Sequence, residues 1–441
     1  MTEPHSHLTK LYNDLSTPTF FTKNLHSTPR SLTTNILIVG GSYSGLSTLR
    51  AIQLHLSKRL NETDPTKRKK ISITLIEPRN GLLNILGIPK CLTDIEFADT
   101  QFIPFNKLSN CKFSNIFSDS ISQYDQDDSW FENNPDSLFQ LNYIQGKVCY
   151  LDQFKAQYNL NSNEFDKGII EFDYVVLASG RDRSWPTTPH SLRVDDFLSE
   201  MAKVKQDIER ADIVSVIGAG AVGIEIAGDI KTEFPNKTVN LIHPHETFPP
   251  EPLSLEFKRK VQESIENAGI DVYLNTRIKK ENENGDLITT NDKTIPSNLN
   301  FWCCSKSNNT GFLCQEVREK FLNKSTKNIA VNSYLQLHNS EHTYDNFFVL
   351  GDLVDFNIIK SAGWAMYMGR QTAHNLTSLI FDSKLVEPLP DLSSIPFGMV
   401  LITGNNEIIS ELSGVVELNN EAYVQEYKDY CVGKVRVTLD M

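Results

Sequence analysis

The sequence predicts an α/β fold in which one unit, a strand, a glycine turn, a helix and a second strand, occurs twice. Three observations predict it. Ile36, Leu37, Ile38 and Val39 form an aliphatic run suited to a strand buried on both faces of a parallel sheet, and Gly40-Gly41-Ser42-Tyr43-Ser44-Gly45 follows at the turn into a helix. Residues 213–217 lead in the same way into Gly218-Ala219-Gly220-Ala221-Val222-Gly223, a full G-x-G-x-x-G. Each helix is followed by another apolar strand, residues 71–77 ending in Glu77 and residues 238–242 ending before His243. A single glycine motif is compatible with a mere tight turn. Its repetition in the same order implies two nucleotides.

The chemistry explains the spacing. In such a turn the first glycine bends the chain, the second lets backbone approach a pyrophosphate, and the third packs helix on strand. Ser42 stands at the second position of the first turn, where its hydroxyl can donate to a phosphate oxygen. Glu77 is the acid expected to bind a ribose hydroxyl, and the polar stretch 57–70 lengthens the gap before it.

Composition sets the outer limits. A chain of 441 residues has room for about three domains, each with its own core. Hydrophobic content of 39% and charged content of 22% fit a soluble globular protein. The net charge of −12 gives no counterion-release advantage on a polyphosphate, so no nucleic-acid partner is expected. Seven cysteines without a C-x-x-C pair point to a reducing compartment and away from a disulfide scaffold or zinc site, so no metal is expected. No run reaches the roughly 18 apolar residues of a membrane span, and the nearest, 213–227, is broken by glycines and Glu225. Residues 1–34, rich in Thr, Ser, His and Asn, are expected to be a disordered tail that is neither a secretory nor a transit segment. The expected location is cytoplasmic, with peripheral membrane contact and oligomeric state left open.

Along the chain, Pro78-Arg79-Asn80-Gly81 reads as a turn and 82–89 as a loop leading to Lys90. Residues 106–136 read as a loop-rich excursion, 141–151 as a strand, and 172–177 as a buried strand closing on Ala178-Ser179-Gly180. Further strands are read at 299–303, 329–337 and 346–350, the last delivering Gly351-Asp352. A helix is read from Ala362 to about Leu379, and 397–441 as a small α+β unit.

These features together resemble the two-dinucleotide-binding flavoproteins, with a glutathione-reductase-like fold. Within them the chain is similar to the branch of apoptosis-inducing factor and ferroptosis suppressor protein, especially its fungal members. The resemblance is carried by the 40–45 turn with Glu77, Gly87-Ile88-Pro89-Lys90, Glu96-Phe97-Ala98, Ile103-Pro104-Phe105, Gly146-Lys147-Val148, Ala178-Ser179-Gly180, residues 218–225, Leu241-Ile242-His243, Tyr334-Leu335-Gln336 and residues 348–352. It implies FAD at the first turn, in a discontinuous domain of residues 35–185 and 306–381. It also implies NAD(P)H at the second, in residues 186–305, and a C-terminal domain over 382–441. The residues it places on FAD are Gly40, Ser42, Tyr43, Ser44, Gly45, Glu77, Lys90, Val148, Ala178, Ser179, Gly180, Gly351, Asp352, Lys360 and Ala362. Those on NAD(P)H are Gly218, Gly220, Val222, Gly223 and His243.

Glu225 falls on the helix that would face the flavin, and a buried carboxylate needs a partner. The resemblance names Lys90, so a Lys90–Glu225 salt bridge beside the flavin is expected, with these two as the catalytic residues. Lys360 and the helix beginning at Ala362 would stabilise the negative charge of a reduced flavin. The implied activity passes hydride from NAD(P)H to FAD and electrons on to a quinone-like or other small acceptor. The alternative is a redox signalling protein of the apoptosis-inducing type with little turnover.

Some positions depart from the pattern. Cys303-Cys304-Ser305 replaces a second Ala-Thr-Gly, with Asn309 keeping the usual asparagine, and His243 replaces the acid expected for an NAD ribose, with no adjoining arginine to read a 2′-phosphate. Near Met368 some quinone-reducing relatives carry glutamine, whose amide hydrogen bonds methionine cannot replace. Cys303 and Cys304 are read as strand neighbours with side chains on opposite faces, so no redox pair is expected. A membrane-bound quinone reductase would need an amphipathic anchor, which residues 417–441 do not provide.

Overall fold

A computed structural model describes residues 33–439 except 65, 66, 109, 110, 119–130, 132, 135 and 162. The tail expected over 1–34 lies outside the described residues up to 32. Thr33 and Thr34 do not belong to it: they open the first strand, opposite Lys70 and Ile71.

The first unit is a seven-stranded sheet. At its centre β1 (Thr33–Val39) runs parallel to β2 (Lys70–Ile76) on one side. Strand β4 (Tyr174–Leu177) runs parallel to it on the other. Next to β2 comes β3 (Gln140–Ile144), and next to β4 comes β9 (Thr343–Val349), both parallel. Leu37, Ile38, Leu75, Val176 and Leu177 are wholly buried, as strands covered on both faces require. Helix α1 (Tyr43–Asn61) leaves β1 through the first glycine turn and packs along α5 (Ala362–Asp382).

The second unit repeats the plan on a smaller scale. Strand β5 (Ile213–Ile217) passes through the second turn into α3 (Ala221–Glu233) and then into β6 (Thr238–Ile242). With β7 (Asp271–Tyr273) and β8 (Leu299–Trp302) these form a four-stranded parallel sheet. Helix α2 (Val194–Arg210) precedes it, and α4 (Leu255–Asn267) lies between β6 and β7. At the C-terminus β10 (Met399–Ile402), β11 (Ile408–Leu412) and β12 (Val415–Leu418) form an antiparallel meander. The short helices α6 (Glu421–Tyr427) and α7 (Val432–Leu439) follow, giving the α+β end expected of 397–441.

Several local expectations are corrected. The described part of 106–136 contains a strand, Asn115–Phe117, at the edge of the large sheet. The single strand read over 141–151 is two strands in different sheets, β3 and Gly146–Leu151. The chain crosses over at Gly146, where a Cβ would come 2.4 Å from the Asn159 carbonyl oxygen, so only glycine lets the strands pass so closely. Of 329–337 only Gln336–His338 is strand, because Ile329 and Val331 make isolated bridges. Strand β8 ends at Trp302, so Cys303 and Cys304 lie beyond it. Among the described residues no helix is long and apolar enough to cross a membrane.

Helices α1 and α5 touch backbone to backbone at Gly369. A Cβ there would meet the Ser44 carbonyl oxygen at 2.6 Å, the Ser47 Cβ at 2.9 Å and the Thr48 nitrogen at 3.0 Å. Gly369→Ala should therefore destabilise the protein by about 1–3 kcal/mol, the usual cost of an overpacked contact, as read from a urea midpoint lowered at unchanged m-value.

Candidate functional site

The two glycine turns share their hydrogen bonds position by position. Gly40 N–H donates to the Ile76 carbonyl at 2.9 Å and Gly218 N–H to the Ile242 carbonyl at 2.8 Å. Ala178 N–H donates to Val39, and Cys303 N–H to Ile217, at the same 2.8 Å. Gly40 and Gly218 have φ of +104° and +112°, a left-handed backbone that side chains rarely adopt. A Cβ on Gly45 would sit 1.8 Å from the Gly40 carbonyl oxygen, and one on Gly223 would sit 1.9 Å from that of Gly218. No side chain larger than hydrogen fits at either third position.

Each turn delivers an uncapped helix N-terminus. Ser42 precedes α1 and Gly220 precedes α3; neither end has a side-chain cap, and neither first turn holds an acidic residue. Their leading N–H groups and positive dipole ends are free for an anion. A Cβ on Gly220 or on Gly180, which has φ of +64°, would meet nothing within 4 Å, so room for a ligand lies against both.

At the end of the second strand of each unit, one buried side chain accepts from the turn. Glu77 Oε2 accepts from Gly41 N–H at 2.7 Å, while its Oε1 accepts from Arg79 N–H at 3.0 Å. In the other unit His243 Nδ1 accepts from Ala219 N–H at 3.3 Å. With Nδ1 an acceptor, the neutral ring carries its proton on Nε2, which has no well-directed hydrogen bond in the protein. Burial, with His245 beside it, lowers the His243 pKa from 6.5 to about 4, the Thr247 carbonyl pulling the other way.

Around the first turn the structure gathers most of the expected residues. Gly351, with φ of +68°, faces Ser44 and Ala365, so the Gly351-Asp352 bend, the first turn and the start of α5 meet. Ala178 backs Gly45, and Ser179 Oγ donates to the Asn309 carbonyl at 2.8 Å. Asp352 faces Arg183 at 3.8 Å. Lys360 Nζ donates to the Val354 carbonyl at 2.6 Å, and burial lowers its pKa to about 8 against the pull of Asp352. Ala362 opens α5 behind the cap Ser361, whose hydroxyl accepts from Trp364 N–H. Val148 is set apart, packed opposite Tyr158 in the antiparallel sheet of Gly146–Leu151.

Between the turns the expected salt bridge is corrected. Lys90 and Glu225 form none; the Lys90 ammonium lies 4.9 Å over the Phe97 ring, and the carboxyl on which its charge acts is Asp229. Asp229 lies one helical turn beyond Glu225 on α3, and accepts a hydrogen bond from the Tyr430 hydroxyl. Burial, with Asp229 nearby, raises the Glu225 pKa well above the carboxylate range. Sequence reasoning missed Asp229, although its i+4 spacing from Glu225 is a readable signal, and missed Asn84, Arg183 and Tyr430, which carry none.

The sequence pattern of the pyridine nucleotide-disulphide oxidoreductase family matches residues 107–369, more than half of the chain and including the second turn and Gly351-Asp352. The chain belongs to this family. As a member it is an FAD-binding, NAD(P)H-dependent oxidoreductase. It is similar to Oxidoreductase OXR1 of Ajellomyces capsulatus, 26% identical over 401 residues, 85% of this chain and 80% of that one. Ferroptosis suppressor protein 1 of Mus musculus is 26% identical over 297 residues, 63% of this chain and 73% of its own. Among solved structures, NDH2 of Plasmodium falciparum in complex with NADH shares the fold, with a TM-score of 0.59 at 13% identity over 92% of this chain and 97% of that one. Unlike the disulphide reductases that give the family its name, this member has all seven cysteines free. Among the described residues no cluster could hold a metal.

Because His243 is neutral above about pH 4 but titrates near 6.5 when unfolded, the folded state loses stability as pH falls from 6.5 towards 4. In a proton NMR titration, the His243 ring resonance, assigned through His243→Asn, should show its midpoint near 4; a midpoint near 6.5 would refute the burial of the ring beside His245.

Proposed function

We propose that the first glycine turn holds FAD, that the second holds NAD(P)H, and that electrons leave to a quinone-like small acceptor. The observation that carries this reading is the pair of matched turns with unlike side chains beneath them: acidic Glu77 in one, neutral His243 in the other. An acid that keeps lone pairs spare suits the hydroxyls of an unphosphorylated ribose, as in FAD. A neutral imidazole offers no charge against a ribose phosphate, so the second site is open to either nicotinamide nucleotide.

When bound, flavin supplies the two-electron chemistry between nicotinamide and acceptor. The rest falls to the protein. The N-terminus of α1 and the hydroxyl of Ser42 would hold the pyrophosphate of FAD, with Tyr43, Ser44, Ala178, Ser179 and Gly180 walling the site. Asp352, Lys360 and the start of α5 at Ala362 would address the flavin end; Lys360, with a pKa of about 8, is mainly cationic at neutral pH and favours a reduced, anionic ring. On the nucleotide side Gly218, Gly220, Val222, Gly223 and His243 would hold NAD(P)H. Lys90 and Glu225 would lie between the sites, where charge and orientation matter most. On this reading residues 35–185 and 306–381 are the FAD unit, 186–305 the NAD(P)H unit and 382–441 the C-terminal unit.

The acceptor follows from the cysteines and the branch resemblance. Cys91 is buried with its thiol pKa raised, and Cys304 lies against the second turn, its Sγ 3.7 Å from the Ile217 carbonyl oxygen. The adjacent Cys303 and Cys304 are both free, but burial raises both thiol pKa values, so neither stands ready as the thiolate a dithiol carrier needs. A small molecule takes that place.

Purified protein should be yellow and should bleach under anaerobic NADH or NADPH, then recover colour with an added quinone. Gly45→Ala should lose its flavin. Gly223→Ala should keep it but need about tenfold more nucleotide for half-bleaching, a change worth about 1.4 kcal/mol. Flavin that stays oxidised under excess of both nucleotides would contradict the proposal and favour a signalling protein with little turnover.

A further inference from the structure

A buried polar cluster joins the two halves of the site, and the reading above leaves most of it unused. Tyr43, the first residue of α1, donates through its hydroxyl to Asn84 Oδ1 at 2.6 Å. Asn84 Nδ2 donates to the Tyr430 carbonyl at 3.0 Å and to Gln101 Oε1 at 2.7 Å. The Tyr430 hydroxyl donates in turn to Asp229 on α3. A residue from the C-terminal end of the chain is thus fastened to both glycine-turn helices. Its backbone is strained to reach them: Tyr430 and Cys431 have φ of +51° and +61°, left-handed values that cost a non-glycine residue energy and tend to gather at functional sites. Both are nearly inaccessible, whereas Asp229, Glu225 and Lys90 keep part of their surface open.

The chemistry of the proposed reaction leaves a vacancy that this cluster suits. NAD(P)H supplies two electrons and one hydrogen nucleus, while a hydroquinone carries two O–H protons. The balance is NAD(P)H + H⁺ + quinone → NAD(P)⁺ + hydroquinone, so one proton must come from outside the nucleotide.

We propose that Asp229 supplies that proton to the acceptor oxygen, and that Tyr430 is the positioning residue that holds the carboxyl for the transfer. The O–H bond of the Asp229 carboxyl breaks as an O–H bond forms on the reduced acceptor. The carboxylate left behind is stabilised by the Tyr430 hydroxyl and by the Lys90 charge, and takes a new proton from water.

The surroundings support the assignment. Burial raises the Asp229 pKa to about 7, with Tyr430 and Lys90 pulling it down. Also facing the cluster are Glu225 from the same helix, the Cys91 thiol beside Lys90, and the Cys431 thiol beside Tyr430. Asp229 is therefore protonated below about pH 7 and charged above it, a range in which a general acid works well.

The inference rests on the flavin reading, and the test separates the two. Stopped-flow measurement resolves bleaching by NAD(P)H from reoxidation by a benzoquinone. In the native protein reoxidation should slow as pH rises through about 7. Asp229→Asn should slow reoxidation by about 10²-fold and abolish that limb, slowing bleaching far less. Tyr430→Phe should keep the limb but displace it to higher pH, since a hydrogen bond to the charged form is lost. Infrared spectra of the native protein, with or without flavin, should show a protonated-carboxyl band that vanishes through about pH 7 and is missing from Asp229→Asn. A flavin-loaded Asp229→Asn with the native profile, or spectra without such a band, would overturn the inference. Absence of bleaching in the native protein would instead overturn the flavin reading, while the infrared result still decides the state of Asp229.

Discussion

The structure depends on one close contact made twice: a glycine α-carbon set directly against the carbonyl oxygen of the glycine five residues before it. Gly45 on Gly40 and Gly223 on Gly218 leave less than 2 Å for any Cβ. This contact draws each helix down onto its sheet and turns its N-terminus outward, with the leading N–H groups uncapped. The parallel strands, the buried side chain under each turn and the third strand behind it, which stops just before Ala178 or Cys303, follow from that packing.

The two copies differ where chemistry requires it. Both turns hold their shape through a backbone N–H given to the side chain at the end of the second strand, but a carboxylate accepts it in one and an uncharged ring in the other. Accepting that hydrogen bond fixes the His243 tautomer, and burial, with His245 beside it, keeps the ring neutral at physiological pH. One architecture thereby presents two turns with different charge beneath them. Helix α3 also carries Glu225 and, one turn further, Asp229, on which the Lys90 charge from the first unit acts.

Local features were readable from sequence and long-range ones were not. The two turns, their flanking strands and the α5 helix are written in short windows of glycine spacing and aliphatic runs. The partner of Glu225 was misjudged because Lys90 lies against Phe97, seven residues along its own segment, and acts on a carboxyl one turn further along α3. Tyr430 gave no signal, since its roles depend on Asn84 and Asp229, both distant in the chain. The split of 141–151 turned on one glycine that allows two sheets to cross, which an alternating pattern cannot reveal. Cys303 and Cys304 read as strand because the apolar run continues past Trp302, but the sheet ends there and the second turn packs against them.

The central claim is that two matched turns hold two different nucleotides at once. Calorimetric titration of the flavin-loaded protein with an oxidised nicotinamide nucleotide tests it most directly. The account predicts one tightly held flavin and one further equivalent of nucleotide per chain, bound without displacing the flavin. Nucleotide that competes flavin off the protein, or finds no site while flavin is bound, would contradict it.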